Sequence, residues 1–241
     1  MLRLAAAVLV VAQANSQANG LELVPRRRIA GHPVRRVASN VGGTTELFVY
    51  AVVFGAEAAD DASVHDALAT QLWPSGRVAA RFLVETCGPG DSVLEIGAGT
   101  ALPSLAAALA GADVLATDRD ETSLDFALAA AEDQGLEIRT ATYDVEATRP
   151  LPPGDVVVFA DVFVSDAVAS ACAIRAAEAL ERGSRCVVAD ARRSTRDAFL
   201  ETLRGALDGD RRLDFLPIAD VDRQDKLQLI DAEDLLAAAD G

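Results

Sequence analysis

With 241 residues, 51% of them hydrophobic and 24% charged, the chain can form one sizeable globular domain, with or without an appendage. Its formal charge of −15 argues against sequence-independent binding to nucleic acid or to an anionic membrane, which need a basic surface; a basic protein partner suits it better, although acidity alone can serve solubility. Cys87, Cys172 and Cys186 form no C-x-x-C pair and no ligand spacing with His32 or His65, so neither a disulfide framework nor a metal site is expected.

Residues 1–36 read as a targeting extension. Arg3, the apolar run 4–12, and small or polar residues around Ala14, Ser16 and Ala18 form a targeting pattern too short to span a bilayer. Secretory and organellar (mitochondrial or plastid) readings stay open. Six arginines against the single acid Glu22 up to Thr45 suit an organelle, and free thiols weigh against an oxidising compartment. Residues 37–90 are expected to cover a ligand site with a strand or hairpin (45–53), a polar acidic loop (56–63) and a helix (71–85). In that helix Val78, Ala79, Phe82 and Leu83 share one face, introduced by a Trp-Pro-Ser-Gly turn. Trp73 is there either as core filler or as an edge of the site.

From residue 91 to 241, strand and helix patterns alternate. Strands are expected at 92–96, 114–117, 137–142, 156–160 and 184–189, with two more candidates at 212–218 and 226–230. Helices are expected to open near Pro103 and to cover 121–134, 168–181 and 194–207, the last with Ser194 as cap. The unbroken apolar run before Asp161 suits a strand buried on both faces of a parallel sheet. Acids close successive strands at Asp118, Asp161 and Asp190. The pattern predicts an α/β fold, a doubly wound, mostly parallel Rossmann-like sheet.

The stretch DSVLEIGAGTALPSLAAALAGADVLATD (91–118) is its centre. Gly97 and Gly99 let backbone approach a ligand, and the following helix N-terminus is expected to offer unpaired N–H groups. Asp118, at the tip of the next strand, lies within reach of a ribose diol. A dinucleotide would need a third glycine where Leu102 stands. The chain instead has an acid, Glu95, two residues before Gly97. An acid there suits a ligand with an ammonium and a sulfonium but no phosphate, which describes S-adenosylmethionine.

The segment LEIGAGTALPSLAAALAGADVLATD resembles the first two motifs of the class I, seven-stranded S-adenosylmethionine methyltransferases. Within them it is most similar to methyltransferase family 16, the protein lysine methyltransferases, whose pattern runs roughly LELGAGTGLPGLAAA followed by TD. LWPSGRVAARFL, FADVFVSD and ADARRSTRDAFLETL agree in order and spacing, and the Trp-Pro-Ser-Gly turn and the Asp-Val-Phe segment resemble the branch that modifies the electron-transfer-flavoprotein β subunit and its bacterial relatives. The resemblance covers residues 72–207. It implies a seven-stranded methyltransferase sheet, S-adenosyl-L-methionine as cofactor and a protein substrate. It places Glu95, Gly97, Ala98 and Gly99 around the methionine part of the cofactor and Asp118 on the ribose. Asp144 and Val145 fall at the adenine, Trp73 and Ala160 beside the cofactor, and Asp161 where an acid orients the target amine.

Two positions depart from the family pattern. Ala101 replaces its third glycine, and Val164 replaces the tyrosine of the D-x-x-Y motif that begins at Asp161. Valine can neither hydrogen-bond nor form an aromatic wall around an amine, so Phe163 is the candidate to supply that wall. The expected reaction is methyl transfer to a lysine, with small-molecule amine methylation and an inactive cofactor-binding scaffold as alternatives.

Overall fold

The computed structural model describes residues 27–53, 70–207 and 213–232; the expected targeting run and the acidic loop 56–63 lie outside them. The described chain opens on a small antiparallel sheet of β1 (Arg28–Ile29), β2 (His32–Gly42) and β3 (Thr45–Val52). Its tight turn is set by Gly42 and Gly43, both at positive φ (145° and 53°). Asn40 holds the turn, accepting from the Gly42 N–H at 3.1 Å and donating to the Gly43 carbonyl at 2.8 Å.

Among the described residues the α-helices that follow are α1 (Pro74–Thr86), α2 (Leu102–Leu109), α3 (Glu121–Asp133), α4 (Asp166–Glu181) and α5 (Arg196–Ala206). Interleaved with them are β4 (Ser92–Ile96), β5 (Asp113–Asp118), β6 (Arg139–Thr142), β7 (Val156–Ala160) and β8 (Arg185–Asp190). Two strands close the sheet, β9 (Leu216–Pro217) and β10 (Leu227–Asp231). The seven strands run in the order β6-β5-β4-β7-β8-β10-β9, and every pairing is parallel. β4 is flanked by β5 on one side and β7 on the other, so the order reverses beside it, which is where open α/β sheets hold ligands.

Side chains alternate across the sheet with period two, and both faces are covered. Leu94, Ile96, Val157, Phe159, Cys186 and Val188 face α4 and α5, meeting Ala173, Ala176, Phe199 and Leu203. Val93, Val114, Val156, Val158 and Val187 face the other way, onto Val78, Ala79, Phe82 and Leu83 of α1. The predicted apolar face of α1 is therefore the one that packs. Cys172 and Cys186 are buried and Cys87 is half-buried; all three are free, and burial pushes their thiols up.

Three expectations change. The hairpin does not cover the ligand site. Val37, Val41, Val49 and Ala51 pack on Ala80, Leu102, Leu105 and Phe126, the outer surfaces of α1, α2 and α3. It is fastened there by Asp133, which accepts from Tyr50 Oη, from Arg27 at 2.5 Å and from Arg36 at 3.4 Å. The boundary expected at residue 36 falls inside β2, because Arg35 and Arg36 pair with Ala51 and Tyr50. Nor is Ser194 a cap: α5 starts after Thr195, whose hydroxyl donates to the Phe163 carbonyl at 2.8 Å instead of capping. Among the described residues no helix is long and apolar enough to cross a membrane.

Candidate functional site

A cavity opens at the carboxyl ends of β4, β5 and β7, and its floor is the glycine turn. Gly97 has φ +67°, and a Cβ there would lie 2.7 Å from Val162 Cγ2, so only glycine fits. Gly99 (φ +51°) donates its N–H to Asp118 Oδ2 at 2.9 Å, and Ala98 donates to the Thr117 carbonyl at 2.9 Å. Ala101 occupies the left-handed region (φ 59°, ψ 29°) at full burial, so the turn keeps a glycine-like conformation although the residue carries a methyl.

Glu95 points from β4 toward α2, where its Oε2 accepts from the backbone N–H of Ser104 at 2.9 Å and from the Ser104 hydroxyl. Burial is the main reason its carboxyl is pushed up to about 8; the charge of Asp118 adds to this and the Ser104 bonds oppose it. This corrects the expectation of free donors at the helix N-terminus. Pro103 has no N–H, that of Ser104 is bonded to Glu95 and that of Gly99 to Asp118. A pyrophosphate would meet two carboxylates where it needs donors. A ligand bearing an ammonium, a sulfonium and a ribose diol fits the same groups, since carboxylates attract the cations and accept from the hydroxyls.

The other predicted cofactor residues come together on this cavity. Trp73, Asp144, Val145 and Ala160 all line it. Asp144 is exposed, and its Oδ1 accepts from the Glu146 N–H at 2.9 Å, which shapes the loop after β6. Asp118 fixes its own turn as well, with Oδ1 accepting from the Asp120 N–H at 3.0 Å.

Asp161 ends β7 in the left-handed conformation (φ 58°) and is 7% exposed. Its Oδ2 accepts from the Ser75 N–H at 2.7 Å, tying the start of α1 to the tip of β7. Burial pushes its carboxyl up, against the opposing effects of Ser75 and Arg193. Phe163 does not reach the cavity. Its ring is 2% exposed and stacks on Phe199 at a centroid distance of 4.7 Å, in the core on the α4/α5 side. Its neighbours Val162 and Val164 line the cavity instead, Val164 with 46% exposure. No aromatic ring therefore replaces the family tyrosine from this segment.

Several lining residues were not singled out in the sequence: Arg119, Tyr143, Val162 and Arg193. Arg119, Tyr143 and Val162 each adjoin an acid at or just after a strand end, and that adjacency is the signal that could have identified them; Arg193, three residues past Asp190, has no such signal. Arg193 Nη2 lies 3.4 Å from Asp161 Oδ1, and its guanidinium sits 5.3 Å from the centroid of the Trp73 ring. Among the described residues no group of three or more His, Cys, Asp or Glu side chains could hold a metal.

Residues 59–205 match the model of a family described as lysine methyltransferase. The ribosomal protein L11 methyltransferase of Thermus thermophilus is 31% identical over 130 residues, which are 54% of this chain and 50% of that protein. The human histone-arginine methyltransferase METTL23 is 33% identical over 104 residues, 38% of this chain and 53% of that protein. The chain spans about half the length of the curated relatives it matches. Among solved structures, SMU.776 complexed with SAH superposes with a TM-score of 0.51 at 18% identity, over 76% of this chain and 49% of that one, a likeness of fold. Because the family match takes in the glycine turn, the tip of β7 and the start of α5, more than half of the sequence, the chain belongs to the lysine methyltransferase family, whose methyl donor is S-adenosylmethionine.

Proposed function

We propose that this chain is an S-adenosylmethionine-dependent N-methyltransferase whose acceptor is a lysine side chain of a protein. The observation that carries the reading is Asp161. It is a buried carboxylate held at the tip of β7 in a left-handed conformation, with one oxygen fixed by Ser75, at the wall of the cavity that holds Glu95 and Asp118. Backbone held in that region by its surroundings is common where a side chain must be aimed.

S-adenosylmethionine, held by Glu95 and Asp118, would supply an electrophilic methyl for in-line displacement by the amine. The protein contributes alignment and exclusion of water. Glu95 and Asp118 hold the methionine and ribose ends, Asp144 and Val145 the adenine, and Trp73 and Ala160 bound the cavity between them. Asp161 accepts an N–H from the acceptor amine and so directs its lone pair. It need not be a strong base, because only the uncharged amine reacts.

Replacing Asp161 with alanine is expected to lower methyl transfer by on the order of 10²-fold while leaving cofactor affinity within a few-fold, since misaligned reactants lose rate more than ligand binding. Steady-state transfer and calorimetry on the same preparations check this; equal transfer by the variant would remove the assigned role. Val164 motivates a second reading, methylation of a small amine. It is exposed at the cavity mouth in place of a ring that would enclose an aliphatic chain. Competition between lysine peptides and free amines separates the two, and peptides win under the first.

A further inference from the structure

Arg193 lines the cavity next to Asp161, and its guanidinium lies nearer to that carboxylate than to the buried Asp190. It follows Arg192, which is at φ 50°, just after β8. Asp190, fully buried at the end of β8, binds Arg196 Nε at 2.9 Å and the Arg193 backbone N–H at 3.0 Å through Oδ2. Its Oδ1 stands 3.8 Å from Arg193 Nε, and both of these buried atoms lack a hydrogen bond. Asp231 is met by Arg192 at 2.7 Å and by Arg196 at 3.3 Å. Asp190 is thus met by Arg196 at hydrogen-bond distance and by Arg193 at 3.8 Å, while the Arg193 guanidinium rests on the Trp73 ring with Nη2 toward Asp161.

Few charges face Asp161. From α1 it meets Ser75, from β8 Asp190, and from the following turn Arg193. The remaining ionisable groups on the cavity wall are Glu95, Asp118, Arg119, Tyr143, Asp144 and Glu146. A buried carboxylate with no cation beside it would bind the acceptor as an ammonium ion, which has no lone pair to give. With a guanidinium on Oδ1 the pair is close to neutral, yet both oxygens keep acceptor capacity for an amine N–H.

Resting on the lysine reading of the site, we infer that Arg193 is a positioning and specificity residue: by neutralising Asp161 it makes the acceptor subsite select an uncharged amine. The acceptor then arrives ready to react, and protonated amines are rejected instead of trapped. Trp73 serves as the platform that holds the guanidinium over the site and packs its flat face.

The test is binding of N-acetyl-lysine methyl ester, read through the emission of Trp73, the only tryptophan in the chain, from pH 7 to pH 9. Its amine titrates near about 10.4, so selection of the neutral form tightens apparent affinity by about tenfold per pH unit in the unmutated protein. Arg193→Met is expected to bind the ester more tightly at pH 7 and to lose that slope. It should also show a lower KM with a lower kcat for methyl transfer, and a kcat that recovers as pH rises. Arg193→Lys, which keeps a charge in place, is expected to restore the slope. Identical slopes in the unmutated protein and Arg193→Met, or no amine binding by the unmutated protein, would overturn the inference. If no lysine is methylated but the slope and its loss are seen, the lysine reading fails and the role of Arg193 stands.

Discussion

A methyl group added at Gly97 has no room: it would lie 2.7 Å from Val162 Cγ2, on a residue at φ +67°. Gly97→Ala is expected to destabilise the protein by about 1–3 kcal/mol and to weaken S-adenosylmethionine binding at least tenfold, as thermal unfolding and calorimetry would show. Glu95 makes a prediction about pH. Its carboxyl, raised from 4.5 to about 8 mainly by burial, keeps a proton in the folded state that the unfolded chain has already released. Stability of the ligand-free protein should therefore fall as pH rises from about 4.5 to about 8, by at most about 5 kcal/mol, and Asp161, also raised, acts in the same direction. Glu95→Gln should flatten that fall and lose cofactor affinity; a melting temperature with the same pH dependence in both proteins would contradict this. At this scale the sequence showed the acids at the strand tips, because each ends an apolar run. It did not show that Phe163 turns inward and Val162 outward, since a one-residue change of facing at the end of a strand depends on the Phe199 ring waiting on the other side.

Among the elements, the buried strands of the sheet were legible because each is a short, continuous apolar run, and α1 because its apolar residues recur at helical spacing. The N-terminal hairpin was legible as β-prone sequence but not as to where it docks. Its place depends on Tyr50, Arg27 and Arg36 converging on Asp133, about a hundred residues away in the chain. Gln134 adds to this by bonding both the N–H and the carbonyl of Phe48, at 2.9 and 2.8 Å. A chain begun at residue 37 loses β1, the first half of β2 and two of the three Asp133 partners. It should unfold at least ~2 kcal/mol more easily than a chain begun at residue 27, in urea or on heating. Equal stability of the two would mean that the hairpin is an ornament on α1, α2 and α3 instead of part of the fold.

For the whole molecule, alternation of strand and helix gave the doubly wound class, while the strand order did not follow from it. The insertion of β10 between β8 and β9 is a long-range pairing with no local signature in the tail. What the topology does for function is to bring the carboxyl ends of β4, β5 and β7 to one crevice, so that Glu95, Asp118 and Asp161 share a cavity although they are spread over 67 positions. If the acceptor is a protein, as proposed, the net charge of −15 favours one that is basic. The most direct test of lysine methylation is to incubate a cell extract with the purified protein and isotope-labelled S-adenosylmethionine, then identify the modified residues by mass spectrometry. Label is expected on the side-chain nitrogen of lysine, and is lost when Asp161→Ala replaces the unmutated protein. Label confined to arginine or to small amines, or label that persists with Asp161→Ala, would contradict this expectation.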